Sequence, residues 1–285
     1  MTLPLSDDVR DLLALQLVPG LGPRRTAALL AHFGGAGRAR RASAGELRAV
    51  PLIGAKLADE IVQRLGNADV DAEIARMAQA GARLLVLGTP DYPPGVATIF
   101  DPPCLFYLRG SLAEADVNAV GIVGSRHCTG YGKRIATQIA GSLARAGVTV
   151  VSGLARGIDG VAHQAALDAG GRTLAVLAGG LGRLYPPEHK ALGEAVTQSG
   201  GLMTEASMDQ EPLAPLFPAR NRIISAAEQG RRHHRGGGEE RSVDHGDACR
   251  RAGPHGTRGA RPGGCNDERR LQRPDPRRCR AVPRR

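Results

Sequence analysis

A chain of 285 residues has room for one large domain or two ordinary ones, and it is long enough to bury a substantial core. No segment reaches the roughly 18 apolar residues of a membrane span, and the first residues lack the basic start and apolar run of a signal peptide, so we expect a soluble cytoplasmic protein. The net charge of +10 favours a polyanionic partner, but residues 226–285 hold 16 Arg and no Lys against 8 acidic residues and account for +8 of it.

Apolar residues at helical spacing predict a small helical domain over residues 1–82. Two segments in it are alike, because each places an apolar residue and Pro before a glycine turn and a helix: LVPGLGPRRTAALLAHFG at 17–34 and VPLIGAKLADEIVQRL at 50–65. Amides at such a helix start can meet a phosphate, with Arg24, Arg25 or Lys56 beside it. The pattern resembles a helix-hairpin-helix (SAM-like) DNA-binding element, and a helical hairpin used only for packing is the alternative.

The chain changes character after this helical region. Residues 84–112 predict a strand, a Pro-rich turn and a second strand. From Asn118 onward buried strands alternate with helices. A strand and the turn that ends it occupy 119–126 and 148–159, a third strand occupies 173–180, helices occupy 133–146, 160–169 and 187–199, and GGLMTEA starts a further short strand. We therefore predict an α/β fold over residues 83–225, a Rossmann-like, doubly wound parallel sheet. Ligands in such sheets bind at the carboxyl ends of the strands, where all the glycine-rich turns fall.

The first of these turns is GSRHCTGYGKR, residues 124–134. Gly124 allows a sharp turn, the amides and Ser125 can face a phosphate, and Arg126 and Lys133 add positive charge at a helix start. The spacing is not GxGxxG, and the Lys-Ser/Thr of a nucleoside-triphosphate loop is missing, so a dinucleotide site is not indicated. A purely structural strand-to-helix turn is the alternative.

The second turn is SGLARGIDGVAHQAAL, residues 152–167. Ser152, Gly153 and Gly157 are predicted to bring the backbone close to a ligand, and Arg156 adds a second charge to the same edge. His163 lies on the following helix. Because no nucleophile or third group stands beside it in sequence, we predict a hydrogen-bonded structural histidine rather than a catalytic base.

Two further segments complete the predicted edge. In AVLAGGLGRLYPPEH, residues 175–189, the glycines around Gly180 are expected to leave an open floor, and Tyr185 can stack on a base or cover the core. In LFPARNRIIS, residues 216–225, Arg220, Asn221 and Arg222 deliver two charges and an amide within three residues. A solvated charged turn is the alternative, but three arginine-bearing turns converging on one sheet edge argue against it.

The order and spacing of these motifs resemble the Rossmann-like core of the DNA-processing protein A (DprA/Smf) family: GSR, SGxARGID, AHxxAL, AVLxGGLxxxYPPEH and FPARNRII. The resemblance covers residues 115–225, and the helical region more loosely. It implies a non-enzymatic protein that binds single-stranded DNA, protects it and helps load the RecA recombinase during natural transformation, and that forms homodimers. It also implies that the DNA backbone lies across Arg126, residues 152–157 and residues 220–222.

An enzyme of the nucleotide-hydrolysing, lysine-decarboxylase-like Rossmann families is the alternative. Those families carry a PGGxGTxxE signature, whereas the comparable segment here reads AGGLGRLYPPE, without the Thr and with Glu188 displaced. Cys104 and Cys128, the only cysteines before residue 226, do not share a metal-type spacing. We therefore expect no metal and no cofactor.

The last segment, residues 226–285, departs from the family pattern. It contains only three residues from Val, Ile, Leu, Met, Phe and Tyr, so we expect it to be disordered and poorly soluble. We hypothesise a one-base shift of the reading frame near Ala226, because permitted codons from Glu228 onward, read one base later, can encode the missing family continuation. In the family, this part of the chain adds strands to the sheet and carries the self-association surface, so the departure argues against dimerisation. Sequencing codons 220–232 tests this, and an intact frame in an independent clone would contradict it.

Overall fold

The structure is a computed structural model that describes residues 5–228. Within these residues the first layer consists of six helices: α1 Asp7–Gln16, α2 Pro23–Phe33, α3 Ala36–Arg41, α4 Ala44–Leu47, α5 Ala55–Gly66 and α6 Val70–Ala80. Local chemistry sets several of their ends. Asp69 caps α6 by accepting a hydrogen bond from the Ala72 amide, and α2 and α6 end at glycines with left-handed backbone.

The two similar segments of the helical layer adopt the same turn. The Leu21 amide donates to the Val18 carbonyl at 3.1 Å, and the Ile53 amide donates to the Val50 carbonyl at 3.2 Å. Helices α2 and α5 then begin at glycines whose backbone is extended and which supply no side-chain cap. Arg25 joins the two turns by donating to the carbonyls of Gly20 and Leu52 at 2.7 and 3.3 Å. Its guanidinium is therefore committed to the protein's own backbone.

The sheet has six strands among the described residues: β1 Ala82–Val86, β2 Leu105–Gly110, β3 Ala119–Gly121, β4 Thr149–Ser152, β5 Thr173–Val176 and β6 Gly201–Thr204. Their order is β1-β2-β6-β5-β4-β3. Strands β3 to β6 are parallel neighbours, which confirms the predicted Rossmann-like α/β fold. The strand–turn–strand unit forms a hairpin that joins the same sheet, with β2 antiparallel to β6, so the complete sheet is mixed rather than wholly parallel.

Five helices accompany the sheet: α7 Pro94–Ala97, α8 Gly130–Arg145, α9 Ile158–Asp168, α10 Lys190–Ser199 and α11 Leu216–Glu228. Helix α8 begins three residues before the predicted start, because the Thr129 hydroxyl caps the Gly132 amide at 3.1 Å. Counting residues 216–225 as one of three arginine-bearing turns is wrong, because that segment is part of α11. Pro218 fits there, since it lies in the first turn of the helix, where a missing amide hydrogen breaks no helical bond.

Alternate residues of the strands face two separate hydrophobic clusters. One face, which includes Tyr107 and Leu202, packs in the same cluster as the α1 to α6 layer. The opposite face, which includes Phe106 and Met203, packs against Ile223 and Ile224 of α11. The helical layer and the sheet therefore share one core, and α11 covers the other side of the sheet.

A buried carboxylate connects three parts of this structure. Glu73 of α6 accepts hydrogen bonds from the Tyr107 hydroxyl of β2 and from the Met208 amide, both at 2.8 Å. A buried carboxylate with several donors holds its neighbours in place, because each of those donors would otherwise be left without a partner. Glu73 thus anchors residues 205–212, the loop that follows β6.

Among residues 5–228, the longest helix is α8 with 16 residues, and none combines the length and apolar character needed to cross a bilayer. The predictions for residues 226–285 fall outside the described part of the chain, except that residues 226–228 continue α11.

Candidate nucleic-acid interface

The turn after β3 exposes a guanidinium beside an aromatic ring. The Arg126 side chain is exposed, and its guanidinium carbon lies 4.1 Å from the centre of the Phe217 ring of α11. Gly124 is needed because a Cβ there would come within 2.7 Å of the Ile158 side chain. The Ser125 hydroxyl bonds both the amide and the carbonyl of His127 at 3.1 Å, so it stabilises its own turn.

Three arginines from three different elements converge on one pair of rings. The Tyr185 and Phe217 rings meet edge to face with their centres 6.0 Å apart. Arg126 and Arg220 lie over Phe217, and Arg156 lies over Tyr185 with its guanidinium carbon 5.6 Å from the ring centre. We call these five residues the arginine–aromatic cluster. It lies where the carboxyl ends of the parallel strands meet the start of α11.

The three arginines of the cluster differ in what they can reach. Arg126 has no acidic partner anywhere in residues 5–228. Arg156 is exposed but donates two hydrogen bonds to Glu188, and those bonds lower the pKa of the Glu188 carboxyl to about 2. A pair in contact with solvent is weakened by salt and can exchange partners. Arg126 and Arg156 thus form the accessible positive charge of the cluster.

Arg220 is held inside the protein. It is 4 % exposed, it donates to the carbonyls of Gly153 at 2.6 Å and of Val176, and it pairs at 3.1 Å with Asp159, which is 3 % exposed. Burial raises the pKa of the Asp159 carboxyl, and the nearby Arg220 charge acts against that rise. Arg220 therefore joins α11 to the ends of β4 and β5 instead of meeting solvent.

Several predicted backbone approaches to a ligand are approaches to the protein itself. A Cβ at Gly153 would lie 1.9 Å from the Arg220 guanidinium, and a Cβ at Gly157 would lie 2.1 Å from the Ser125 carbonyl oxygen. The open floor expected around Gly180 is covered by residues 207 and 208, whose carbonyl oxygens would lie 2.1 Å from a Cβ there. Ser152 is buried and donates to the Ile122 carbonyl at 2.6 Å. These four positions shape the edge of the sheet.

Three further predicted residues, Arg222, Asn221 and Lys133, are not members of the cluster. Arg222 is directed away from the cluster and binds Glu205 and Asp101, because residues two apart on a helix face different sides. Asn221 is exposed and accepts a hydrogen bond from the Arg220 guanidinium at 3.1 Å. Lys133 is exposed in the first turn of α8. Sequence reasoning singled out Tyr185 but missed its pairing with Phe217, although Phe217 precedes Arg220 at the three-residue spacing of helical neighbours.

His163 is buried and hydrogen-bonded, as the sequence predicted. The ring is fully buried; its Nε2 accepts the Leu154 amide at 3.3 Å, and its Nδ1 lies 2.7 Å from the Thr173 hydroxyl. The accepting Nε2 leaves the proton on Nδ1. Burial and the nearby Arg220 charge lower the pKa of His163 from 6.5 to about 3, so the folded chain holds the neutral imidazole.

This burial predicts a loss of stability in mild acid. The pKa of His163 is lower in the folded chain than in the unfolded chain, so protonation favours the unfolded state. The stability is therefore fully present above pH 6.5, and the free energy of unfolding falls as the pH drops from 6.5 toward 3. Between pH 7 and pH 5 the free energy of unfolding should fall by about 2 kcal/mol through this residue. Denaturant unfolding at several pH values measures it. The variant His163→Gln, less stable at pH 7, should lose this part of the slope, and an unchanged slope would contradict the assignment.

The fold and the site define a class: a Rossmann-like protein with a cationic, aromatic edge at the carboxyl ends of its strands. The family model for DNA recombination-mediator protein A matches residues 83–231, just over half of the chain. The chain belongs to this family, which is also called DprA/Smf.

Individual relatives agree with this membership. Protein Smf of Synechocystis is 36% identical over 220 residues, covering 75% of this chain and 54% of that protein. DNA processing protein DprA of Bacillus subtilis is 35% identical over 158 residues, covering 55% and 53%. The crystal structure of DprA from Streptococcus pneumoniae matches 80% of this chain and 76% of that chain with a TM-score of 0.64 at 27% identity. The chain spans about half the length of the curated relatives it matches.

Proposed function

We propose that this chain binds single-stranded DNA across the arginine–aromatic cluster. The observation that carries the proposal is the convergence of Arg126, Arg156 and Arg220 on the Tyr185–Phe217 pair. Guanidinium groups bind phosphate with two parallel hydrogen bonds, and aromatic rings stack on bases that are free of a duplex. A strand with unpaired bases uses both features, whereas a duplex hides its base faces.

Within this proposal the residues have different roles. Arg126, Arg156 and Lys133 contact phosphates, and Tyr185 stacks on a base. Arg220, Ser152, Gly153, Gly157 and Gly180 are positioning residues, because their side chains or backbones are engaged with the protein's own atoms. A phosphate displaces Glu188 from Arg156, an exchange that solvent exposure of the pair makes inexpensive.

The proposed activity is binding without chemical turnover. The best candidate base, His163, is fully buried with both ring nitrogens engaged, and the bonds from Arg156 lower the pKa of the exposed Glu188 to about 2, which makes its carboxylate a weak base. A nucleotide-hydrolysing enzyme would instead need an accessible acid or base at this edge. Incubation with nucleoside monophosphates separates the two functions, because turnover without retention of single-stranded DNA in a gel-shift assay would favour the enzyme.

Further steps follow from family membership. The family name, a DNA recombination mediator, supports the proposal that the bound strand is passed to a RecA-type recombinase during natural transformation in the cytoplasm. The names of the relatives support a role in DNA processing. Homodimerisation is the family property we place in doubt, because the sequence after residue 225 departs from the family pattern.

A salt-titrated binding assay with fluorescent single-stranded oligonucleotides tests the proposal. Arg126→Ala in the full chain should weaken binding about tenfold and lower the salt slope by about one phosphate contact. Arg83→Ala is the matched control, since Arg83 is an exposed arginine paired with Asp91 and lies on β1, at the opposite end of the strand order from β3. A chain ending at Glu228 retains the described helix α11 and removes the arginine-rich segment. Binding that survives Arg126→Ala but disappears in the shortened chain would overturn the proposal.

A further inference from the structure

A second cation–aromatic pair lies outside the arginine–aromatic cluster. Phe100, in the loop between α7 and β2, is 86 % exposed, the highest exposure of any large hydrophobic side chain in residues 5–228. The guanidinium carbon of Arg24, from α2, lies 5.2 Å from the centre of its ring. The whole chain has only four Phe, four Tyr and no Trp, so one of its few aromatic rings is exposed to solvent instead of buried in the core.

Positive charge at this pair is not neutralised by the described part of the chain. Arg24 is exposed and forms no ion pair there, in contrast to Arg25, which is bound to two backbone carbonyls. Lys56 occupies the equivalent position at the start of α5, where it is exposed and lies 4.0 Å from the Glu60 carboxylate. A flat ring with a free guanidinium above it suits a nucleobase flanked by a phosphate.

Helix α11 contributes to both places from different sides, since Arg220 belongs to the cluster and Arg222 faces away from it. Arg222 of α11 donates to the carbonyl of Asp101, the residue that follows Phe100, at 3.1 Å. A cavity of about 410 Å³ lies between the helical layer and α11, and its lining includes Gly22, Pro23 and Arg220. The cavity thus borders the start of the helix that carries Arg24 and also an arginine of the cluster.

We propose that the DNA strand bound at the cluster continues past this cavity and stacks one base on Phe100, with Arg24 bound to the adjoining phosphate. This inference rests on the proposed function and extends its site onto the helical layer. The ligand is a single strand, because only unpaired bases present a free face to the ring. The contact is independent of base identity, since every base has a π-face.

The absence of tryptophan provides a direct test. In the full-length Phe100→Trp variant the introduced indole is the only one in the chain, and its fluorescence should be strongly quenched when oligo-dT saturates the protein. Ile139→Trp is the matched control: Ile139 is 48 % exposed in the middle of α8, and an indole there should not respond. Equal quenching at both positions would overturn the stacking assignment.

Affinity measurements supply the second readout. Phe100→Leu keeps an apolar side chain and removes the stacking face, so it should weaken binding about tenfold for long oligonucleotides. In a series from about 4 to about 20 nucleotides the shortest strands that bind should be unaffected, because they occupy the cluster alone. Equal affinity of Phe100→Leu and the unaltered chain at every length would overturn the inference.

The two proposals fail in different ways. If Arg126→Ala weakens binding while the Phe100→Trp emission stays constant at saturation, the strand does not reach Phe100 and the proposed function stands. If the full chain retains no single-stranded DNA at low salt, both proposals are overturned. If a protein partner but no oligonucleotide quenches the indole, the surface is a protein-docking site and this inference is wrong.

Discussion

Replacing Arg220 with methionine should lower the free energy of unfolding by about 3–5 kcal/mol at neutral pH, the cost of leaving a buried charge without its partner. Asp159 is 3 % exposed, and Arg220 is its ion-pair partner. The same substitution removes two donors from the carbonyls of Gly153 and Val176. Denaturant unfolding at equilibrium measures the loss, and a change below about 1 kcal/mol would contradict the structural role.

The pH dependence of this loss identifies its cause. Without Arg220 the pKa of Asp159 should rise further, because burial already raises it in the intact pair. The carboxyl then takes up a proton as the pH falls, and the deficit of Arg220→Met should shrink in acid. Adding Asp159→Asn should recover part of the stability at neutral pH, since the amide is uncharged and still accepts hydrogen bonds. A deficit independent of pH would indicate lost packing instead.

Gly157→Ala should lower the free energy of unfolding by about 3 kcal/mol, because it adds both backbone strain and a steric clash. It should also displace the turn that carries Arg126. The backbone of Gly157 has φ +78°, which a residue with a Cβ adopts only under strain. The new Cβ would also lie 2.1 Å from the Ser125 carbonyl oxygen, so the backbone beside Arg126 must move. Unfolding experiments give the stability, and oligonucleotide binding at a temperature where the variant is folded gives the effect on the site.

Gly170→Ala separates the two costs of that substitution. Gly170 also has a positive φ, +70°, but a Cβ there would meet nothing within 4 Å. The Gly170→Ala variant should therefore lose about 1–2 kcal/mol of its free energy of unfolding, from backbone strain alone, and should bind DNA normally. Equal effects of the two substitutions on stability and binding would mean that contact with the Ser125 turn does not matter.

The sequence predicted the order of elements in the sheet region because that information is local. Buried strands alternate with amphipathic helices from Asn118 onward, and parallel strands bring their carboxyl ends to one edge. Within the predicted strand-and-turn segment 119–126, the strand itself is short, since β3 ends at Gly121. Pairing of the β1–β2 hairpin with β6 could not be predicted, because its partners are about a hundred residues apart in sequence.

The helical nature of residues 216–225 is the main point that sequence reasoning missed. A proline within an arginine-rich segment favoured a turn, but the apolar residues of that segment cover one face of the sheet as part of a helix. Helical geometry then turns Arg220 inward and Arg222 toward Glu205. Two arginines that look equivalent in sequence therefore have different environments.

By itself, the sequence determined which residue types stand at the strand ends, that glycines are needed there, and that Arg126 lies in the turn after β3. Only the tertiary structure decided which charges remain in solvent. Arg220 meets Asp159 across 61 residues of chain, and Phe217 meets Tyr185 across the sheet edge. Burial and pairing depend on neighbours that are distant in sequence, and no local pattern records them.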